Sequence, residues 1–162
     1  MTAPVLIFFV LAASSIVSSL LVILQRNVVH SAMALVATLF LMAIIFLTLE
    51  APMVAALQIL VYAGAIMVLF LFVIMLLNPL VSESRPMVWW FFGALAAMLL
   101  AIEFVALFLP VATESRALPE GFGSPGMLAQ SLFTDFVLPF EIASIVLLVA
   151  IIGAVVLAKR EI

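Results

Sequence analysis

The chain contains no cysteine and one histidine, and its charge is thin, with five basic and eight acidic side chains in 162 residues. Without thiolates it can neither ligate an iron–sulfur cluster through cysteine nor close a disulfide. One histidine is too few for a bis-histidine haem or a histidine-based metal site. Only 8% of residues are charged and 70% are hydrophobic, with a mean hydropathy of +1.58, which excludes a water-soluble globular domain. Short alternating segments of the kind that build membrane β-barrels are missing too, which leaves an all-α, polytopic membrane protein. The sequence shows no nucleophile–base pair, metal-ligand cluster or phosphate loop, so the chain alone is expected to catalyse nothing. Internal repeats at a fixed period and low-complexity tracts are absent as well.

What the sequence does hold is five apolar segments, Pro4–Leu24, Val28–Leu49, Pro52–Leu77, Met87–Leu109 and Val137–Ala158. An uncharged run of about 18 or more apolar residues reads as a spanning helix, and these segments reach or approach that mark. The expectation is one integral membrane domain over 1–162. It has five transmembrane helices at about 4–24, 28–49, 52–77, 87–109 and 137–158, and an outer loop at about 111–136. The first segment lacks a basic leader and a clear cleavage site, so it reads as a retained helix. Arg26, Arg85, Lys159 and Arg160 fall on one side of this path and Arg116 on the other. The positive-inside rule then puts the N-terminus outside and the C-terminus in the cytoplasm, with Trp89 and Trp90 at the cytoplasmic interface.

The outer segment is broken by Pro119, Gly121, Gly123, Pro125 and Gly126. It reads first as a solvated linker and second as a docking element, with Met127–Phe133 a short amphipathic piece at the interface. Small residues recur at helical spacing elsewhere: Ser14 with Ser18 and Ser15 with Ser19 in the first helix, and Ala143, Ala150, Gly153, Ala154 and Ala158 in the last. Such stripes let membrane helices approach closely, either within this chain or against a partner. The third segment is interrupted at its centre by Gln58-Ile59-Leu60-Val61-Tyr62-Ala63-Gly64-Ala65-Ile66. Glycine is a poor helix former, so this is a weak point and a candidate moving part.

The stretch Gln58-Ile59-Leu60-Val61-Tyr62-Ala63-Gly64-Ala65-Ile66-Met67-Val68-Leu69-Phe70-Leu71-Phe72-Val73-Ile74-Met75 resembles the third helix of subunit J of proton-pumping NADH–quinone oxidoreductase, respiratory complex I, the counterpart of mitochondrial NADH dehydrogenase subunit 6. Asn27-Val28-Val29-His30-Ser31-Ala32 and Pro139-Phe140-Glu141-Ile142-Ala143-Ser144 agree with it at the entries to the second and fifth helices. The sequence departs from that family at Val28, where proline is common, at Pro52-Met53, where an aromatic is, and at Phe136, where tyrosine is. The resemblance implies a multi-pass subunit of the bacterial inner membrane, in the membrane arm near the quinone module. It implies packing with subunits A, H, K and N. It also implies no cofactor in this chain, with NADH, FMN, iron–sulfur clusters and quinone handled by other subunits. The resemblance further implies a π-bulge in the third helix whose rearrangement connects or breaks a hydrated proton path through subunit K.

Elementary geometry is compatible with that role. Pro52–Leu77 as ideal helix is roughly 39 Å long against a hydrocarbon core of about 30 Å, an excess that tilt, protrusion or a local irregularity must absorb. An i→i+5 bulge finds its cheapest place at Gly64 between Ala63 and Ala65. Closing it would rotate the following segment by about 100° and give Met67, Phe70 and Phe72 new neighbours. The expected gating and coupling residues are Tyr62, Ala63, Gly64, Ala65, Met67 and Phe70, hinged at Tyr62–Ala65. Close packing and a buried tyrosine hydrogen bond are the alternative use of the same residues.

Gln58 and Tyr62, with Ala55 and Ala65, are expected to line a hydrated face, and Glu103 and Glu141 are further candidates for the proton path. Glu103 reads first as an acid satisfied at a protein seam and second as a proton-path acid, and Glu141 first as a cap for the fifth helix. Glu50 is expected to be solvated, and His30 to be an interfacial anchor near Arg26. A membrane subunit of a related hydrogenase or cation-antiporter assembly, or a stand-alone ion carrier, remains the alternative function. Against the carrier, the interior lacks a charged relay, and the chain lacks paired repeats and a discontinuous helix pair.

Overall fold

A computed structural model describes residues 3–77, 87–108 and 118–159, with side chains over 4–77, 91–107 and 118–159. Arg85, Arg116, Arg160, Leu109 and the indoles of Trp89 and Trp90 lie outside these described residues. Among the described residues six helices follow one another: α1 (Ala3–Leu24), α2 (Val28–Thr48), α3 (Pro52–Leu77), α4 (Met87–Phe108), α5 (Pro125–Thr134) and α6 (Val137–Ala158). No strand occurs among the described residues. Among the described residues four helical runs are long and apolar enough to cross a membrane: Pro4–Leu24, Val28–Thr48, Pro52–Leu77 and Val137–Ala158. A shorter apolar run, Phe91–Leu107, lies in α4.

The chain turns between α1 and α2 at Gln25–Asn27, where Asn27 caps α2. Its Oδ1 accepts from the Val29 amide at 2.9 Å and the His30 amide at 3.3 Å, satisfying donors that a helix start leaves free. Serine hydroxyls tie α1 to α2: Ser18 donates to the Ala34 carbonyl at 2.9 Å and Ser31 to the Val22 carbonyl. As the α1 position advances from 18 to 22 the α2 position retreats from 34 to 31, the register of an antiparallel pair. Ser15 and Ser18 are buried in this seam, whereas Ser14 and Ser19 are exposed and bond within their own helix. The buried serine pair is therefore spaced by three residues, not the four expected.

The turn from α2 to α3 is tighter and carries strain. Leu49 caps α2, the Glu50 amide bonds the Leu47 carbonyl at 3.2 Å, and the Ala51 amide bonds the Phe46 carbonyl at 3.0 Å. That is the Schellman pairing, which puts the residue after the cap in the left-handed region. Glycine is usual there, but here Glu50 takes it, at φ 58°. Pro52 then occupies the first turn of α3, where its missing N–H leaves no intrahelical bond unmade.

Packing is uneven along the chain. Helix α2 lies between α1 and α3 and contacts both the N-terminal and the C-terminal half of α3. The buried apolar residues are small ones, Ala32, Ala43, Ala55 and Ala63, together with Met67. Small side chains draw helix backbones together, so the core is a pair of thin seams on either side of α2. Helix α6 packs on α5, where Phe133 and Phe140 meet edge to face at 5.0 Å. Among the described residues α4 and α6 make no extensive contact with α1, α2 or α3.

The segment between α4 and α6 is not a simple solvated linker. It holds α5, and the turn before α5 docks on the α2–α3 corner, where the Met53 amide donates to the Gly123 carbonyl at 3.2 Å. Glu141 also departs from expectation. Helix α6 begins at Val137, with Phe136 as its cap and no side-chain bond there, so Glu141 lies a turn inside and does not cap.

Candidate functional site

The centre of α3 is not α-helical. Residues Gln58–Ile66 form nine residues of π-helix, flanked by α-helical Pro52–Leu57 and Met67–Leu77. The i→i+5 pattern is closed by the Met67 amide, which bonds the Tyr62 carbonyl. The sequence pointed to a single bulge at Gly64. The irregularity instead spreads over the whole Gln58–Ile66 stretch.

Gly64 shows why this sequence tolerates the wide winding. A Cβ added there would stand 3.1 Å from the Ile59 carbonyl oxygen, five residues back. A hydrogen atom leaves that carbonyl room, while any larger side chain would crowd it. Glycine costs about 1 kcal/mol relative to alanine in a helix interior, which weakens the helix at this point whatever its winding.

The buried face identifies what the π winding accomplishes. Ala55, Ala63 and Met67 are each 6% exposed or less, along the length of α3 that packs on α2. In a regular α-helix Ala55 and Ala63 would stand about 80° apart, and Ala55 and Met67 about 120°. All three are nonetheless buried, because π turns advance the chain less per residue. The α2 seam is thus matched to the π form of α3. Rewinding to α would keep Ala55 in place only by swinging Met67 away.

The remaining expected site residues fall elsewhere. Tyr62 is 52% exposed and Phe70 47%, Gly64 and Ala65 are exposed, and Gln58 is half-buried. Ala55 therefore does not share a face with the exposed Tyr62 and Ala65, as α-helical counting had it, but belongs to the seam with Ala63. Glu103 is exposed on α4 and Glu141 on α6, two helices without extensive contact with α3, so the three polar candidates are not brought together within this chain. The Glu141 carbonyl accepts from the Ser144 hydroxyl at 2.7 Å. His30 and Arg26 are both exposed at the α1–α2 turn, and Glu50 is exposed at the α2–α3 corner. No cluster of three or more metal-ligating side chains occurs among the described residues.

Sequence reasoning missed the contact between Gly123 and the corner at Glu50. Its signal was present as two glycines two residues apart and a proline opening α3, but nothing in the sequence pairs positions so far apart.

Comparison with known proteins gives one consistent result. Residues 18–157 match the family model described as NADH-ubiquinone/plastoquinone oxidoreductase chain 6. The chain is similar to NAD(P)H-quinone oxidoreductase chain 6 of Leptolyngbya boryana, at 41% identity over 95% of this chain and 79% of the relative. It is similar to the chloroplastic NAD(P)H-quinone oxidoreductase subunit 6 of Physcomitrium patens, at 37% identity over 96% of this chain and 84% of the relative. Chain 6 of a Nostoc species is 38% identical over 95% of this chain and 78% of the relative.

Proposed function

The chain belongs to the NADH-ubiquinone/plastoquinone oxidoreductase chain 6 family, and from that premise we propose that it is a membrane-arm subunit that couples NADH oxidation and quinone reduction to proton translocation, with α3 as its switching element. The electron carriers (FMN, iron–sulfur clusters and quinone) belong to other subunits in this reading, and the chain has no cysteine with which to hold a cluster. Its work is conformational. The supporting observation is the nine-residue π segment at Gln58–Ile66, whose winding decides which side chains of Met67–Leu77 face α2.

Two forms of α3 differ in where one residue is accommodated. In the π form Met67 sits in the α2 seam; regularising the segment turns the C-terminal half by about 100° and replaces Met67 there. Phe70 and Phe72, exposed at 47% and 68%, swing with it. A bulky apolar side chain moved into a file of waters breaks the hydrogen-bonded chain that protons need, and one moved out lets the file reform. This is a two-state element of the kind that coupling between distant sites requires. Gln58 and Tyr62 supply polar groups at the moving boundary, and Glu103 and Glu141 border the proton route from α4 and α6. The partners are the neighbouring membrane subunits A, H, K and N, in a bacterial inner membrane. The bias of Arg26, Lys159 and other basic residues to one side supports an outer N-terminus and five spans in one domain.

Substitution of Gly64 by leucine in the assembled complex tests the reading. The added Cβ stands 3.1 Å from the Ile59 carbonyl oxygen, a backbone atom that must give by a few tenths of an ångström in the π form. The expected result is an assembled enzyme whose NADH-driven proton transport is lost, or whose electron transfer and transport stop together. A fully coupled Gly64→Leu enzyme would refute the switch.

A further inference from the structure

We propose that the turn at Gly121–Gly123 is a latch that fixes the N-terminal end of α3, with Gly123 as its positioning residue, so that any rewinding of the π segment is delivered to Met67–Leu77. The inference rests on the switch reading above and adds where the motion is anchored.

Gly123 has φ +71°, a conformation that side-chain-bearing residues rarely adopt. A Cβ built on it would lie 2.3 Å from the Glu50 carbonyl oxygen, 2.7 Å from Pro52 Cδ and 2.8 Å from Ala51 Cα. Those atoms are main chain or ring, so none can swing aside. Only glycine lets the turn come this close, and the closeness serves a bond. The Met53 amide, one of the donors that the first turn of a helix leaves unpaired, gives its hydrogen to the Gly123 carbonyl at 3.2 Å.

The corner that the turn grips is itself held by two backbone bonds, from Glu50 to Leu47 and from Ala51 to Phe46. Two left-handed residues, Glu50 and Gly123, thus meet face to face from distant parts of the chain. The grip continues outward. The Ser124 Oγ accepts from the Met127 amide to cap α5, and α5 packs on α6 through Phe133 and Phe140.

A rod whose register changes in its middle must turn at one end. The N-terminal end of α3 is pinned by the Met53–Gly123 bond and by Ala55, which is 1% exposed. The C-terminal end has no comparable clasp among the described residues. Rotation therefore goes to the C-terminal half, and α6 stays in place with the pinned end through α5.

The test uses the assembled complex in membrane vesicles, with Gly123→Ala compared against Gly126→Ala, whose added methyl meets nothing within 4 Å. Gly126→Ala should behave as the unmodified enzyme. Gly123→Ala should keep NADH-to-quinone electron transfer while protons moved per electron fall by about twofold or more. A Gly123→Ala complex with unchanged coupling overturns the latch. Should that variant not assemble, structures of the unmodified complex with and without a quinone-site inhibitor decide the matter. A Met53–Gly123 bond kept in both states beside a rewound π segment supports the proposal. A bond that opens as the segment rewinds overturns the latch alone. A π segment identical in both states removes the switch itself, and the latch's purpose with it, an outcome recognisably different from the others.

Discussion

Helix α2 and helix α6 have nearly the same length and the same apolar character, yet they do opposite things. Helix α2 buries Ala32 and Ala43 between two neighbours and takes part in two serine–carbonyl bonds. Helix α6 leaves every residue from Val137 to Ala158 exposed except the half-buried Gly153, and among the described residues its one extensive contact is with α5. In water such a surface would mark an interaction site. In a chain built for a membrane it separates what the subunit supplies for its own fold from what it offers to lipid and to other subunits. Ala32 and Ala43 of α2 are internal packing, whereas the alanines of α6 face outward.

The contrast can be broken from either side. The largest effect expected is that of Gly64→Leu, because it alters the winding that α2 is matched to; loss of NADH-driven proton transport in vesicles is the readout. Next comes Ala43→Leu at a position with no exposed surface, where overpacking costs about 1–3 kcal/mol. A lower thermal inactivation midpoint of the complex is expected. Ser124→Ala should cost about 1 kcal/mol by removing the α5 cap, read as a smaller drop in the same midpoint. Smallest should be Glu50→Gly, where relief of a left-handed glutamate is partly offset by glycine's greater freedom in the unfolded chain, for a rise in the midpoint equivalent to about 0.5 kcal/mol. A drop as large for Ala150→Leu on α6 as for Ala43→Leu would mean that α6 is as closely packed in the complex as α2 is here.

Much of the fold was legible because apolar length is a strong signal. The spans at 4–24, 52–77 and 137–158 agree with the helices, and α2 ends one residue before the expected Leu49. The weak point at Gly64 was legible from glycine's poor helix propensity. Its spread over nine residues was not, since the extent of π winding depends on what α2 presents to Ala63 and Met67. Counting by 100° per residue grouped Ala55 with Tyr62 and Ala65, an error that comes directly from assuming α geometry through a π segment. The grip of Gly123 on Glu50 and Pro52 was illegible for another reason. Close approach of two backbones leaves no trace in sequence beyond a glycine, and glycines also mark ordinary turns.

The two hydroxyl bonds between α1 and α2 join Ser18 to Ala34 and Val22 to Ser31, all within the first 34 residues. During biosynthesis, then, the opening hairpin has every partner it needs for these bonds while the ribosome is still making the later helices. The surface that α2 offers to the π segment is complete at residue 48, so in chain order the template is made before the helix that is wound against it.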